Sequence, residues 1–115
     1  LLKRSQKVLK YRGKWNSVAG YLDEIVPIKD KILEELREEI NVKEKDIKSI
    51  KIGELYTFRD GEFKWMVTPV LVEISEGTQI KLDWEHQEYK WINPKEISEF
   101  DTVPNLEKGL RMVMD

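Results

Sequence analysis

The chain has 115 residues, with 20 lysines and arginines against 22 aspartates and glutamates, a formal net charge of −2. This balance argues against a strongly basic protein that binds a nucleic-acid duplex, and the length suits one domain, residues 1–115, with one core. Without cysteine and with a single histidine, the chain has no disulfide and no Cys/His zinc site. No apolar run approaches the roughly 20 residues of a membrane helix, and no signal peptide is visible. Composition therefore predicts a cytoplasmic protein without a membrane partner.

The amino-terminal segment is basic. Leu1-Leu2-Lys3-Arg4 reads as the end of a strand whose beginning is missing. Lysines and arginines then recur up to Lys14, and they form either a solvated loop or a cationic rim that faces phosphates. Residues 15–22 follow as an apolar run that favours a strand and is broken by Gly20.

Residues 27–41 are predicted to form the one long helix. Pro27 suits a first turn, and Asn41 tolerates the left-handed conformation that ends many helices. One apolar stripe follows the helical spacing and is formed by Ile28, Ile32, Leu33, Leu36 and Ile40.

The remaining chain alternates strand and turn signals. Asp60-Gly61 predicts a hairpin turn between strands at 47–59 and 63–74. The second of these is apolar on both faces, which favours a central strand, although Pro69 indicates a bulge or an exposed edge. Further strands are expected at 79–84 and 88–92, and helices at 94–100, capped by Asn93, and at 105–114. These elements predict a mixed α+β sandwich.

Glu35, Glu38 and Glu39 lie at helical spacing, and we expect them to share a face opposite the apolar stripe. Like charges at this spacing repel each other by roughly 0.2–0.5 kcal/mol per pair. The helix dipole also opposes anions in the last turn. A divalent cation with oxygen ligands would explain the arrangement. The commoner alternative is a solvated face whose repulsion Lys31 and Arg37 relieve in part.

Residues 20–42 resemble the signature of the Nudix hydrolase family. Six of the nine defined positions are in register, namely Gly20, Glu35, Leu36, Glu38, Glu39 and Val42. Residues 85–92 also resemble a later loop and strand of that family, where a carboxylate precedes a tryptophan. The resemblance implies a Nudix-type α/β/α sandwich with a mixed sheet, one helix that carries the signature and a carboxy-terminal helix, and it implies that part of the first strand precedes Leu1.

Three positions depart from the signature. Val26 replaces a glutamate, Glu34 an arginine and Asn41 a glycine. Asn41 should be benign because asparagine also adopts the left-handed cap. In the family, the missing glutamate and arginine can interact and orient the metal-binding glutamate, so their joint loss bears on catalytic efficiency more than on folding.

The resemblance implies Mg²⁺- or Mn²⁺-dependent cleavage of a nucleoside diphosphate linked to another group. It assigns metal binding to the Gly20 carbonyl and to the carboxylates of Glu35, Glu38, Glu39 and Glu85, with Glu38 and Glu85 as catalytic residues. Glu88 is the alternative to Glu85. His86 is adjacent and could act as a base, although a lone histidine in a loop is more often a bystander. Arg12 and Arg59 are candidates for holding the phosphates of a small nucleotide substrate.

Two functions from different classes remain open on sequence alone. The first is an active pyrophosphohydrolase, with a homodimer as one assembly that the resemblance suggests. The second is a Nudix-fold domain that binds a nucleotide or a protein without turnover, which the altered positions Val26 and Glu34 would favour.

Overall fold

The computed structural model describes residues 1–20 and 27–114. Strands and α-helices follow one another in this part of the chain as β1 (Leu2–Arg4), β2 (Trp15–Asn16), α1 (Ile28–Ile40), β3 (Ile47–Ile52), β4 (Tyr56–Asp60), β5 (Phe63–Val67), β6 (Val70–Ile74), β7 (His86–Tyr89) and α2 (Leu106–Val113). Short 3₁₀ helices lie at Glu44–Asp46 and Pro94–Glu99. Neither α-helix in the described ranges is long and apolar enough to cross a bilayer.

The first sheet has the order β2-β1-β7, and both of its pairings are antiparallel. Leu2 lies between Asn16 on one side and Tyr89 on the other. A single parallel bridge joins Trp15 to Thr102, so the chain leading to α2 docks beside β2. This sheet brings the amino-terminal segment next to residues 85–89.

The four middle strands form one long hairpin that is bent in its middle. β4 pairs with β5 around the Asp60-Gly61 turn, as predicted, while β3 pairs with β6 further from the turn. The two strands predicted at 47–59 and 63–74 are therefore wrong in extent, because each is interrupted. Proline has no N–H for the ladder, and Pro69 instead accepts a hydrogen bond from Gly53 N at 2.8 Å where both strands turn. Among the described residues, each part of this strand belongs to a two-stranded sheet, so the prediction that 63–74 is a central strand is wrong.

Residues 79–84, predicted as a strand, form no strand. Their backbone binds the end of α1 instead, with Lys81 N donating to Ile40 O at 3.0 Å and Asp83 N to Glu39 O at 3.2 Å. The last carbonyls of a helix have no partner within it, so this segment satisfies them. β7 then begins at His86, two residues before the predicted strand.

Helix α1 matches its prediction closely. Asn41 ends it in the left-handed conformation, with φ 60° and ψ 28°. Its buried side chains Leu36 and Ile40 pack with Leu2 and Val42. Half-buried residues from the bent hairpin and from 80–82 surround this core, namely Ile47, Val72, Ile74, Ile80 and Leu82.

A second apolar region lies under the carboxy-terminal elements. Trp15 meets Phe100 edge-to-face with ring centroids 5.5 Å apart, and Val113 of α2 is buried. The side chain of Asn93 accepts a hydrogen bond from Lys95 N, which confirms the predicted cap of the short helix. The mixed α+β architecture predicted from the sequence is confirmed.

Candidate metal and active site

Glu39 is the most buried carboxylate of the predicted site. Only 3% of its surface is exposed. Asp83 binds its backbone carbonyl at the carboxy-terminal end of α1, and His86 lies against its side chain. The prediction that it lies opposite the apolar stripe is therefore wrong. Position 39 lies beside the buried Leu36 and Ile40, and the segment at 81–86 closes over it.

The pKa of Glu39 is raised to about 9, most of all by burial. A hydrogen bond with the Glu35 side chain and the negative charges of Glu35 and Glu85 contribute to this increase, while the backbone N–H of Ala19 opposes it. Among the described residues, no group donates a hydrogen bond to the buried atom Oε2. Without a cation nearby, this environment favours the protonated form of the Glu39 carboxyl.

Glu35 lies against the backbone of Gly20. A β-carbon on Gly20 would lie 2.2 Å from Glu35 Cδ and 2.6 Å from Cγ, so any other residue here would displace the Glu35 side chain. Lys31, one helical turn earlier, places Nζ 3.1 Å from Glu35 Oε1 and 3.6 Å from Glu34 Oε2. The carboxylate of Glu35 is thus confined by Gly20 on one side and by an ammonium group on another.

Glu85 joins Glu35 and Glu39 through electrostatic interactions, and we refer to these three side chains as the carboxylate cluster. Burial raises the pKa of Glu85, as does the charge of Asp83, whereas His86 and Arg4 lower it. The backbone of Glu85 is fixed at both ends, since Ser5 N donates to its carbonyl at 2.8 Å and its own N–H donates to Asp83 Oδ1 at 3.2 Å.

The other predicted site residues lie further out. Glu38 is exposed, one residue before the buried Glu39. Glu88, the alternative to Glu85, is exposed on β7 opposite Lys3.

The two arginines predicted to hold phosphates are also exposed. Arg12 uses Nε to bind Val8 O at 2.6 Å within the basic loop. Arg59 is exposed on β4, opposite Lys64. The structure thus brings Gly20, Glu35, Glu39 and Glu85 together.

Sequence reasoning passed over several residues that act on the cluster. His86 is buried against Glu39, and Asp83 binds both the His86 ring and the Glu85 N–H. Arg4 is a positive charge that acts on Glu85. The one available signal was the sequence Asp-Trp-Glu-His, in which the only histidine of the chain follows two carboxylates.

The donor chemistry of the cluster suits a hard divalent cation, which takes oxygen ligands. Within 1–20 and 27–114, no three His, Asp or Glu side chains converge in a geometry ready to hold a metal ion. One observation nevertheless favours a cation here, namely the buried Glu39 Oε2, which has no hydrogen-bond partner among the described residues. The residues present therefore fit such an ion.

Solved structures with a similar fold include an Ap4A hydrolase binary complex from C. elegans. It has a TM-score of 0.73 and 18% identity, and the match covers 96% of this chain and 79% of that one. A MutT protein from Methanosarcina mazei Go1 has a TM-score of 0.71 and 24% identity, with 96% and 80% covered. No family model and no curated protein matches the sequence. Both solved proteins are Nudix hydrolases, so this chain has the Nudix fold that its signature predicts.

Proposed function

We propose that this protein is a Mg²⁺- or Mn²⁺-dependent pyrophosphohydrolase that cleaves a nucleoside diphosphate linked to another group. The observation that carries the proposal is the carboxylate cluster, in which the buried carboxyl of Glu39 interacts with Glu35 and Glu85, and Glu35 lies against the Gly20 backbone. The hydrolase activity named for the C. elegans neighbour supports the same class of reaction. We propose that the substrate of the present protein is a small nucleotide.

The ligands we assign to the cation are the Gly20 carbonyl and the carboxylates of Glu35, Glu38 and Glu39, while Glu85 is either a further ligand or the general base. A bound divalent ion would neutralise charge on the phosphate oxygens and lower the pKa of a bound water. Glu38 is exposed, so its carboxylate can contact the ion without first breaking a buried contact.

The reaction needs a group that accepts the proton of the attacking water. Burial and the charge of Asp83 raise the pKa of Glu85 above its usual value, which makes its carboxylate a stronger base. In our proposal the water oxygen bonds to phosphorus, the bond to the leaving phosphate oxygen breaks, and Glu85 takes the proton. Arg4 holds positive charge beside Glu85 and favours its ionised form.

Lys31 supplies a positive charge next to Glu35, where the family signature would have an arginine at position 34. The family signature has an arginine at that position, whereas here Glu34 and Glu35 both pair with the ammonium of Lys31. The positive charge next to Glu35 is therefore retained, although it comes from one turn earlier in α1. This contact favours an active enzyme over a binding domain that has lost turnover.

A product screen tests the proposal. The protein is incubated with nucleoside diphosphate derivatives, including dinucleoside polyphosphates, in Mg²⁺, in Mn²⁺ and in chelator, beside Glu38→Gln and an exposed control, Glu88→Gln. We expect metal-dependent product that is lost on Glu38→Gln and kept on Glu88→Gln. Full activity of Glu38→Gln, or activity in chelator, would refute the assignment.

Metal binding and nucleotide-induced stabilisation without any product would instead support the binding domain. Light scattering on the same samples measures whether the protein is a homodimer.

A further inference from the structure

His86 is a buried imidazole between two carboxyl groups. Its side chain is 1% exposed, with Nδ1 3.0 Å from Asp83 Oδ1 and Nε2 3.7 Å from Glu39 Oε1. Burying a polar ring is costly unless its polar atoms find partners. An aliphatic side chain could fill the same space without this cost. The presence of a polar ring at this buried position therefore indicates that its two nitrogens have a role.

The backbone around the ring holds it in one place. Asp83 N donates to Glu39 O at 3.2 Å, so Asp83 is attached to the helix turn that carries the carboxyl. Asp83 Oδ1 also accepts from Glu85 N, and His86 pairs with Arg4 across the sheet. The ring, the end of α1 and the start of β7 therefore form one connected unit.

We propose that His86 is a positioning residue for Glu39. The ring faces Oε1, which leaves Oε2, the buried oxygen without a donor among the described residues, as the atom available to a cation. Asp83 orients the ring from its other side. The inference rests on the proposed function in so far as Glu39 is taken as a ligand.

Residues that orient metal ligands have measurable effects, since losing one typically weakens metal binding 10–100-fold. The test compares three substitutions of His86 by titration with Mn²⁺ alone, and measures urea unfolding of each protein in chelator. His86→Gln keeps a nitrogen near the place of Nε2, His86→Asn keeps one near Nδ1 only, and His86→Leu keeps neither. Gln87→Leu, at an exposed neighbour on β7, is the control.

We expect His86→Asn and His86→Leu to bind Mn²⁺ at least about tenfold more weakly, with His86→Gln and the control close to the unsubstituted protein. Because the leucine variant can fail to fold, the comparison of asparagine with glutamine is decisive. Equal Mn²⁺ affinities for these two variants would overturn the inference. It would also be overturned if the loss of Mn²⁺ affinity across the variants simply paralleled their loss of folding stability in chelator.

Absence of Mn²⁺ binding by the unsubstituted protein would overturn the proposed function together with this inference. Unchanged affinity in the folded asparagine variant would overturn the inference alone.

Discussion

Gly20 shows at the scale of one residue how the backbone controls a carboxylate. We expect Gly20→Ala to fold, because the clashing Glu35 atoms lie near the end of a flexible side chain. The added methyl must nevertheless displace the Glu35 carboxylate. Misplacement by about 1 Å can cost on the order of 100-fold in rate, so turnover should fall by at least about tenfold, with little change in the melting temperature.

Kinetics and thermal unfolding of Gly20→Ala check this prediction, with Gly61→Ala as the control at a glycine whose β-carbon would meet open space. Normal turnover of Gly20→Ala would show that the Glu35 carboxylate need not be confined.

The raised pKa of Glu39 predicts how stability depends on pH in chelator. The group has its usual pKa of 4.5 when unfolded and about 9 when folded, so the folded protein binds the extra proton between these values. Its contribution is complete below about pH 4.5 and declines up to pH 9, by at most about 1.4 kcal/mol per pH unit. Urea unfolding at pH 6, 7 and 8 should show a steeper decline for the unsubstituted protein than for Glu39→Gln, and parallel curves would contradict the assignment.

At the scale of the element, α1 depends on its carboxy-terminal cap. Asn41 adopts the left-handed conformation and donates its N–H to Arg37 O at 3.1 Å. A non-glycine residue in this conformation costs roughly 1–2 kcal/mol, less for asparagine. Asn41→Ala should therefore lower the free energy of unfolding by about 1 kcal/mol, whereas Asn41→Gly should preserve or raise it. Urea unfolding of both variants measures this difference. Equal stabilities of Asn41→Ala and Asn41→Gly would show that the left-handed cap contributes nothing to the free energy of unfolding.

The secondary-structure elements also show which parts of the fold could be predicted from the sequence. The Asp60-Gly61 turn, the cap at Asn41 and the stripe of α1 depend on local chemistry, and all three were predictable. The break at Pro69 was visible as an anomaly, but its partner at Gly53 lies across the hairpin. The segment at 79–84 looked like a strand because its sequence cannot indicate that its N–H groups would meet the end of a helix.

The same division holds for the candidate site. The register of Gly20, Glu35 and Glu39 was predictable because these residues stand at the spacing of the Nudix signature. The burial of Glu39 and the contacts of His86 were not readable, because they depend on a segment more than forty residues away in sequence.

For the whole molecule, a bound cation should act as a stabilising ligand. At about 100 times its dissociation constant, a ligand adds roughly 2.7 kcal/mol of stability, which corresponds to about 10 °C for a chain of this size. Thermal unfolding with and without Mn²⁺ measures the shift. Glu38→Gln should melt normally in chelator, because Glu38 is exposed, and should gain less from the metal. An equal gain would remove Glu38 from the ligand set.

The two backbone bonds from Lys81 and Asp83 to the end of α1 have a consequence for local dynamics. Any opening that frees these amides also exposes Glu39 to water and carries Glu85 away from it. Amide hydrogen exchange at Lys81 and Asp83 therefore reports the free energy of opening the cluster, and it reports the opening rate where exchange is faster than reclosing. A slow opening step here would limit how quickly the cluster assembles or comes apart, whatever the speed of the bond cleavage itself.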